Sequence, residues 1–254
     1  AGTLTITDSN NSNNLAEVRG GAIFNERLLI ISNTTLSDNT ARDENSGSGG
    51  AIWNDGEMSL TDSFVSNNLS ESGGGIHNSE GGKLTISSTT ISDNTAETGG
   101  GIKNFNGELI LTDSTLSGNV AVEGFASGGA IGNVGDETIA TIERTTFSNN
   151  TAGRGGAISG GDMVTITDSV FSNNAADNDA GAIVTVGEMT ITNTVFTGNS
   201  AGRNGGVILI DGYVTIENST LSDNSAGRSG GAVFINRDDD AGLILNSSLL
   251  ARNT

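Results

Sequence analysis

Reactive side chains are scarce in this chain, and most of those present are oxygen donors. There is one histidine, His77, and no cysteine in 254 residues. A Ser-His-Asp relay, a cysteine nucleophile and a His/Cys zinc site therefore all lack parts. Carboxylates are plentiful: 30 Asp plus Glu stand against 11 Lys plus Arg, for a net charge of −19. Three short runs concentrate them: DENSGS (43–48), ADNDAG (176–181) and RDDDAG (237–242). Asp43, Glu44, Asp177, Asp179, Asp238, Asp239 and Asp240 are the candidate oxygen ligands for Ca²⁺, the one cofactor the composition suggests. Neither an EF-hand spacing nor a calcium-binding nonapeptide accompanies them, and solvated acidic loops are the plainer reading.

Other acidic residues belong to a pattern. Asp38, Asp93 and Asp223 occupy equivalent places and interchange with Gly118, Gly198, Asn149 and Asn173, which is turn chemistry rather than a carboxylate pair for glycoside hydrolysis. A polysaccharide-degrading enzyme acting on an anionic polymer would need clustered cations, and the chain has two lysines, Lys83 and Lys103. Arg19, Arg154, Arg203 and Arg228 precede paired glycines and form an outer row able to pair with Asp177, Asp179 or Glu97. His77 falls in a column with Phe24, Trp53, Lys103, Gly132, Ser159, Val184, Leu209 and Phe234. Such variety predicts an outward, exposed column, with Phe24 beside Trp53 and Leu209 beside Phe234 as candidate contacts for a sugar or a protein unless a loop covers them.

The elements that must carry these residues recur. The small residue after each glycine pair falls at Ala22, Ala51, Gly75, Gly101, Ala130, Ala157, Ala182, Val207 and Ala232. The interval drifts early and settles at 25 residues in the last steps, so a rigid unit is repeated and its loops absorb insertions. Inside each unit apolar residues alternate with period two, as in LTIS (84–87) and VTIT (164–167), and no helical period is present. The fold expected is all-β: one right-handed parallel β-helix over 1–254, of about ten coils with three short strands each. Both ends fall in mid-pattern, so the segment reads as a piece of a longer repetitive protein.

Four inward stacks follow from the alternation. They run from Leu4 to Leu243, from Ile6 to Leu245, from Leu36 to Leu250 and from Ile23 to Val233, with aliphatic or aromatic members throughout. An amide column, Asn39, Asn68, Asn94, Asn119, Asn150, Asn174, Asn199, Asn224 and Asn253, predicts a ladder of inward side chains at a bend, with Asn14 as a degenerate first copy. A second amide column, Asn25, Asn54, Asn78, Asn104 and Asn133, gives way to Gly160, Thr185, Ile210 and Ile235. That exchange predicts an inward position changing from polar ladder to apolar core.

GGAI at 20, 49, 128 and 155, GGAV at 230, FSNN at 147 and 171 and FTGN at 196 resemble the GGA[ILV]/FxxN repeats of the chlamydial polymorphic outer-membrane proteins and of other large bacterial surface proteins. The resemblance implies an extracellular or cell-surface, non-enzymatic rod or adhesin-like stalk that presents loops on a β-helix. Its expected partners are a surface or glycan ligand, or other copies of the chain packed end to end or side by side. Nucleic acid is opposed by the net charge, and no apolar run is long enough for direct membrane insertion. Thr-x-Thr triplets such as Thr165 and Thr167, or Thr190 and Thr192, leave an ice-binding face as an alternative. Interruptions by Ile30, Ile110, Glu143, Glu217 and Ile244 and the strand propensity of threonine weigh against it.

Overall fold

The computed structural model describes residues 2–42, 47–122, 128–236 and 241–254. Within them the chain winds through parallel strands only, with no helix. Each coil contributes one strand to each of four sheets, two of ten strands and two of nine, so nine complete coils are followed by the first two strands of a tenth. At about 4.8 Å per coil the stack is about 45 Å long.

Four strands per coil replace the three expected. Met163–Thr167 and Val170–Ser172 are the first two strands of one coil, and Ala175–Asp179 and Ile183–Thr185 complete it. The additional strand is in most coils only two residues long, such as Thr95–Ala96. Two residues are too few to display a period, so the sequence merges this strand with its neighbours. A left-handed residue separates it from the strand before. Asp38, Asn67, Asp93, Gly118, Asn149, Asn173, Gly198 and Asp223 have φ between 55° and 66°, where Asp, Asn and Gly are tolerated best.

Register is fixed strand by strand. Leu84 pairs with Met58 and Leu109, Ile86 with Leu60 and Leu111, and Ile91 with Val65 and Leu116. The stacks expected from the alternation are thus the core, and from Leu29 to Val214 every member of the first stack is at most 2 % exposed. Phe147, Phe171 and Phe196 lie face to face inside it, with centroids 4.5 and 4.8 Å apart. At the two ends the stacks lie open, Leu4 being 50 % and Leu250 42 % exposed.

The repeated glycine pair has two separate causes. Gly155 takes φ +61, and a Cβ on Gly156 would collide with the Gly181 carbonyl oxygen of the next coil. The first glycine serves the turn and the second serves the stacking distance.

Two hydrogen-bonded ladders close the bends. From Asn39 to Asn224 each ladder amide Nδ2 and each backbone N–H donate to the Oδ1 of the next asparagine, as Asn174 does to Asn199 at 3.0 Å in both bonds. The same Nδ2 also donates to a carbonyl of the coil before, Phe147 O at 3.0 Å for Asn174. Every polar atom of the amide is used, as burial in a dry bend requires. A second ladder, of hydroxyls, escaped the sequence reading. The Thr89 N–H donates to Ser114 Oγ at 3.1 Å while Thr89 Oγ1 donates to Ser87 O at 2.8 Å. The same arrangement holds at Thr145, Ser169, Thr194 and Ser219. Its signal was present in the recurrent TDS, SNT and ERT triplets, hidden because Ser and Thr alternate in it.

Candidate functional site

The inner face of the coil repeats; the outer face of the fourth sheet does not. Strand pairing places Phe24, Trp53, His77, Lys103, Gly132, Ser159, Val184, Leu209 and Phe234 in one row. This row is covered rather than open, which corrects the expectation drawn from its variety. Trp53 is 6 %, His77 8 % and Leu209 4 % exposed. The cover is the segment that precedes each glycine pair, which is itself laddered between coils through Arg19, Ser48, Ser72 and Thr98. Variety in a column therefore reports contact with variable loops as readily as contact with water.

The candidate contact residues divide accordingly. Leu209 packs with Val184 and Ala180 in a small dry cluster that Phe234 partly joins. Phe24 remains 45 % exposed and stacks flat on Trp53, with centroids 4.6 Å and planes 3° apart. Trp53 also faces His77 at 6.4 Å and carries the Arg19 guanidinium 4.7 Å above its ring.

Beside these rings lies a half-open cleft of about 540 Å³. Its floor is Trp53, His77, Lys103 and Phe105, and its walls include Val18, Arg19, Glu71, Ser72, Ser79 and Thr98. Burial holds the His77 imidazole neutral and pushes its pKa down to about 3; the nearby Lys103 and Arg19 charges act the same way, against a backbone hydrogen bond with Ser72. His77 Nδ1 is buried without a partner. The Lys103 ammonium is also held below its ordinary range by desolvation, and its Nζ donates to Ser72 Oγ at 2.7 Å. Sequence reading noticed His77 and Lys103 as neighbours in a row but had no means of folding Glu71 and Ser72 over them.

The acidic candidates fare differently. Asp179 accepts from Asn204 Nδ2 at 2.9 Å and sits 3.7 Å from Arg154, which also approaches Asp211 at 3.9 Å. Asp177 is exposed. Asp43, Glu44, Asp238, Asp239 and Asp240 lie outside the described residues. Among the described residues no group of three His, Cys, Asp or Glu side chains converges on a point. Asp113 and Asp223 are instead engaged at the surface by Arg144 and Arg252, whose guanidinium hydrogen bonds lower the carboxyl pKa values. The threonines of the first sheet align over four coils as Thr141, Thr165, Thr190 and Thr215, bounded by Ile110 and Ile244. The adjacent row is broken by Glu143 and Glu217.

The second amide column behaves as its composition implied. Asn25, Asn54, Asn78, Asn104 and Asn133 are linked amide to amide at 2.6 to 3.2 Å. Asn133 Nδ2 ends the series without a partner, and Thr185 and Ile210 fill the position fully buried two and three coils on.

Residues 33–55, 144–161 and 193–211 match the Chlamydia polymorphic membrane protein repeat. Each matched segment contains a ladder bend or one of the first two strands. No curated protein and no solved structure matches the chain. The chain is thus a β-helix repeat protein whose matched segments are similar to polymorphic membrane protein repeats.

Proposed function

We propose that this β-helix works as a non-enzymatic rod at a bacterial cell surface, holding variable loops at fixed intervals and making adhesive contacts through them. The observation that carries this reading is the division of labour within each coil. The apolar stacks and both bend ladders recur from coil to coil, whereas differences gather in the second amide column, the outer row and the segments over it. A rod gains length by adding coils of one kind, because each coil is stabilised by its neighbours rather than by a separate core. The matches to a membrane-protein repeat support a surface location. No helix among the described residues is long and apolar enough to cross a membrane, a statement that leaves β-barrel spans aside.

The experiment is surface labelling of intact cells that produce the protein, together with binding of chain-coated beads to a panel of cells. Labelling by a membrane-impermeant reagent before lysis supports the surface rod. Labelling only after lysis would remove it, and beads that bind no better than albumin-coated beads would leave a spacer without adhesion.

A further inference from the structure

We propose that the cleft over Trp53 and His77 binds a carboxylate-bearing sugar, with the acid at Lys103 and Arg19 and the ring hydroxyls at His77 and Glu71. The inference goes beyond the rod reading and does not depend on it.

The cleft's volume of about 540 Å³ falls within the usual range for small-ligand sites. It would accept a mono- or disaccharide. Its cations carry the argument for an acid. Lys103 is largely desolvated, and among the described residues no carboxylate lies within ion-pair distance of either Lys103 or Arg19. Glu71 and Glu97 line the same cleft but stand beyond ion-pair reach of Lys103, and a ligand carboxylate supplies the close contact that a desolvated ammonium lacks among the described residues. Two cations suit one carboxylate, whereas a polyanionic polymer would need more.

The remaining groups suit hydroxyls. His77 is neutral, and one ring nitrogen serves the backbone bond with Ser72, so the unpartnered Nδ1 is an acceptor. His77 lines the cleft, and an unmet buried acceptor there is expensive, a cost that a hydroxyl donor relieves. Glu71 offers a second acceptor and Ser79 and Thr98 add hydroxyls on the walls. Val18 and Phe105 give apolar surface for C–H groups. A free α-amino acid would use Lys103 and Glu71 but leave His77 Nδ1 and most of the volume unfilled, so it is the competing occupant.

The chain reports on its own cleft, because Trp53 is its one tryptophan and His77 its one histidine. Sodium glucuronate, methyl glucuronate ester, glucose and glutamate would each be titrated to about 20 mM, following tryptophan emission and the imidazole NMR signals. Glucuronate is expected to give a saturable change in both, with a Kd about tenfold or more below that of the ester or glucose. Lys103→Met and Arg19→Gln should each weaken it by about tenfold while a Thr165→Ala control on another sheet leaves it unchanged. Melting curves accompany each variant, and should Lys103→Met fail to fold, Lys103→Arg must retain glucuronate binding. No saturable response to glucuronate, equal affinity for the ester, or loss of binding in folded Lys103→Arg would overturn the proposal. Tighter binding of glutamate than of glucuronate would give the cleft to an amino acid instead.

Discussion

The coils up to Asn133 and the coils after Gly160 are built on one backbone and filled in opposite ways. In the first group the inner amide column is polar and linked, and the outer row carries Trp53, His77 and Lys103 beside an open cleft. In the second the same inner position holds Thr185 and Ile210, and the outer row holds Val184 and Leu209 packed dry on Ala180. Both changes occur at the same coils, next to the unpaired Asn133 amide. The main Asn ladder crosses that boundary without interruption. The lesson is that the asparagine bend and the apolar stacks make the fold, while the other two columns are free to serve either packing or a ligand.

The largest expected effect breaks what the two regions share. Asn174→Leu removes an acceptor of two bonds and a donor of two, so the Asn150 N–H loses its partner, the Asn150 amide keeps only its bond to Leu116 O, and the side-chain donations to Phe147 O and Asn199 Oδ1 are lost. Several buried polar groups orphaned at once should cost about 3 to 5 kcal/mol, read as the fall in urea midpoint. Asn78→Leu, in the column that later changes to Ile, should cost distinctly less, and a reversed order would undo the distinction between the ladders.

Next come the two outer fills. Leu209→Ala opens a cavity in a dry cluster and should cost about 2 to 4 kcal/mol. Lys103→Met, at the floor of the half-open cleft, should change stability by less than about 1 kcal/mol. Equal losses in chemical denaturation would mean that the cleft is packed as tightly as the later coils.

Acid should separate the regions by about 2 kcal/mol at pH 5. The folded pKa of His77 is about 3 against an ordinary 6.5, so between those values the unfolded chain binds a proton that the folded chain refuses. Stability linked to His77 is therefore complete above about pH 6.5 and is lost as pH falls toward 3, at about 1.4 kcal/mol per unit. Arg19 and Lys103 reinforce this, with Glu71 and Glu97 the carboxylates lining the same cleft. The difference between the protein and its His77→Gln variant isolates the contribution from that of other carboxylates, and parallel pH profiles would refute it.

The smallest effect concerns Ala180, which stands where other coils have the first glycine of the pair and takes φ +62. Ala180→Gly relieves about 1 kcal/mol of left-handed strain and gives up a methyl packed against Val184 and Leu209. A change within about 1 kcal/mol of zero is expected in thermal unfolding, while the same exchange reversed at Gly155, Gly155→Ala, should destabilise.

How far the sequence spoke for itself depended on repetition. Leu84, Ile86, Ile91 and Ile102 could be assigned to four stacks because period-two alternation and the recurring landmarks of each unit leave no other register. The asparagine ladder was legible for the same reason. The two-residue strand at Thr95–Ala96 was not, having no room for a pattern. The cover over Trp53 and His77 depends on irregular segments, such as the residues around Glu71 and Ser72, whose path no period encodes. Signals that recur were readable, and the cleft, which occurs once, was not.

Hydrogen exchange followed by mass spectrometry tests most directly whether one continuous scaffold underlies both regions. The account predicts that backbone amides at Asn68, Asn94 and Asn119 are as strongly protected as those at Asn174 and Asn199, while the cover segments near Ser48, Ser72 and Thr98 exchange faster than those near Ala180 and Asn204. Ladder amides protected on one side of Asn133 and exchanging freely on the other would contradict it.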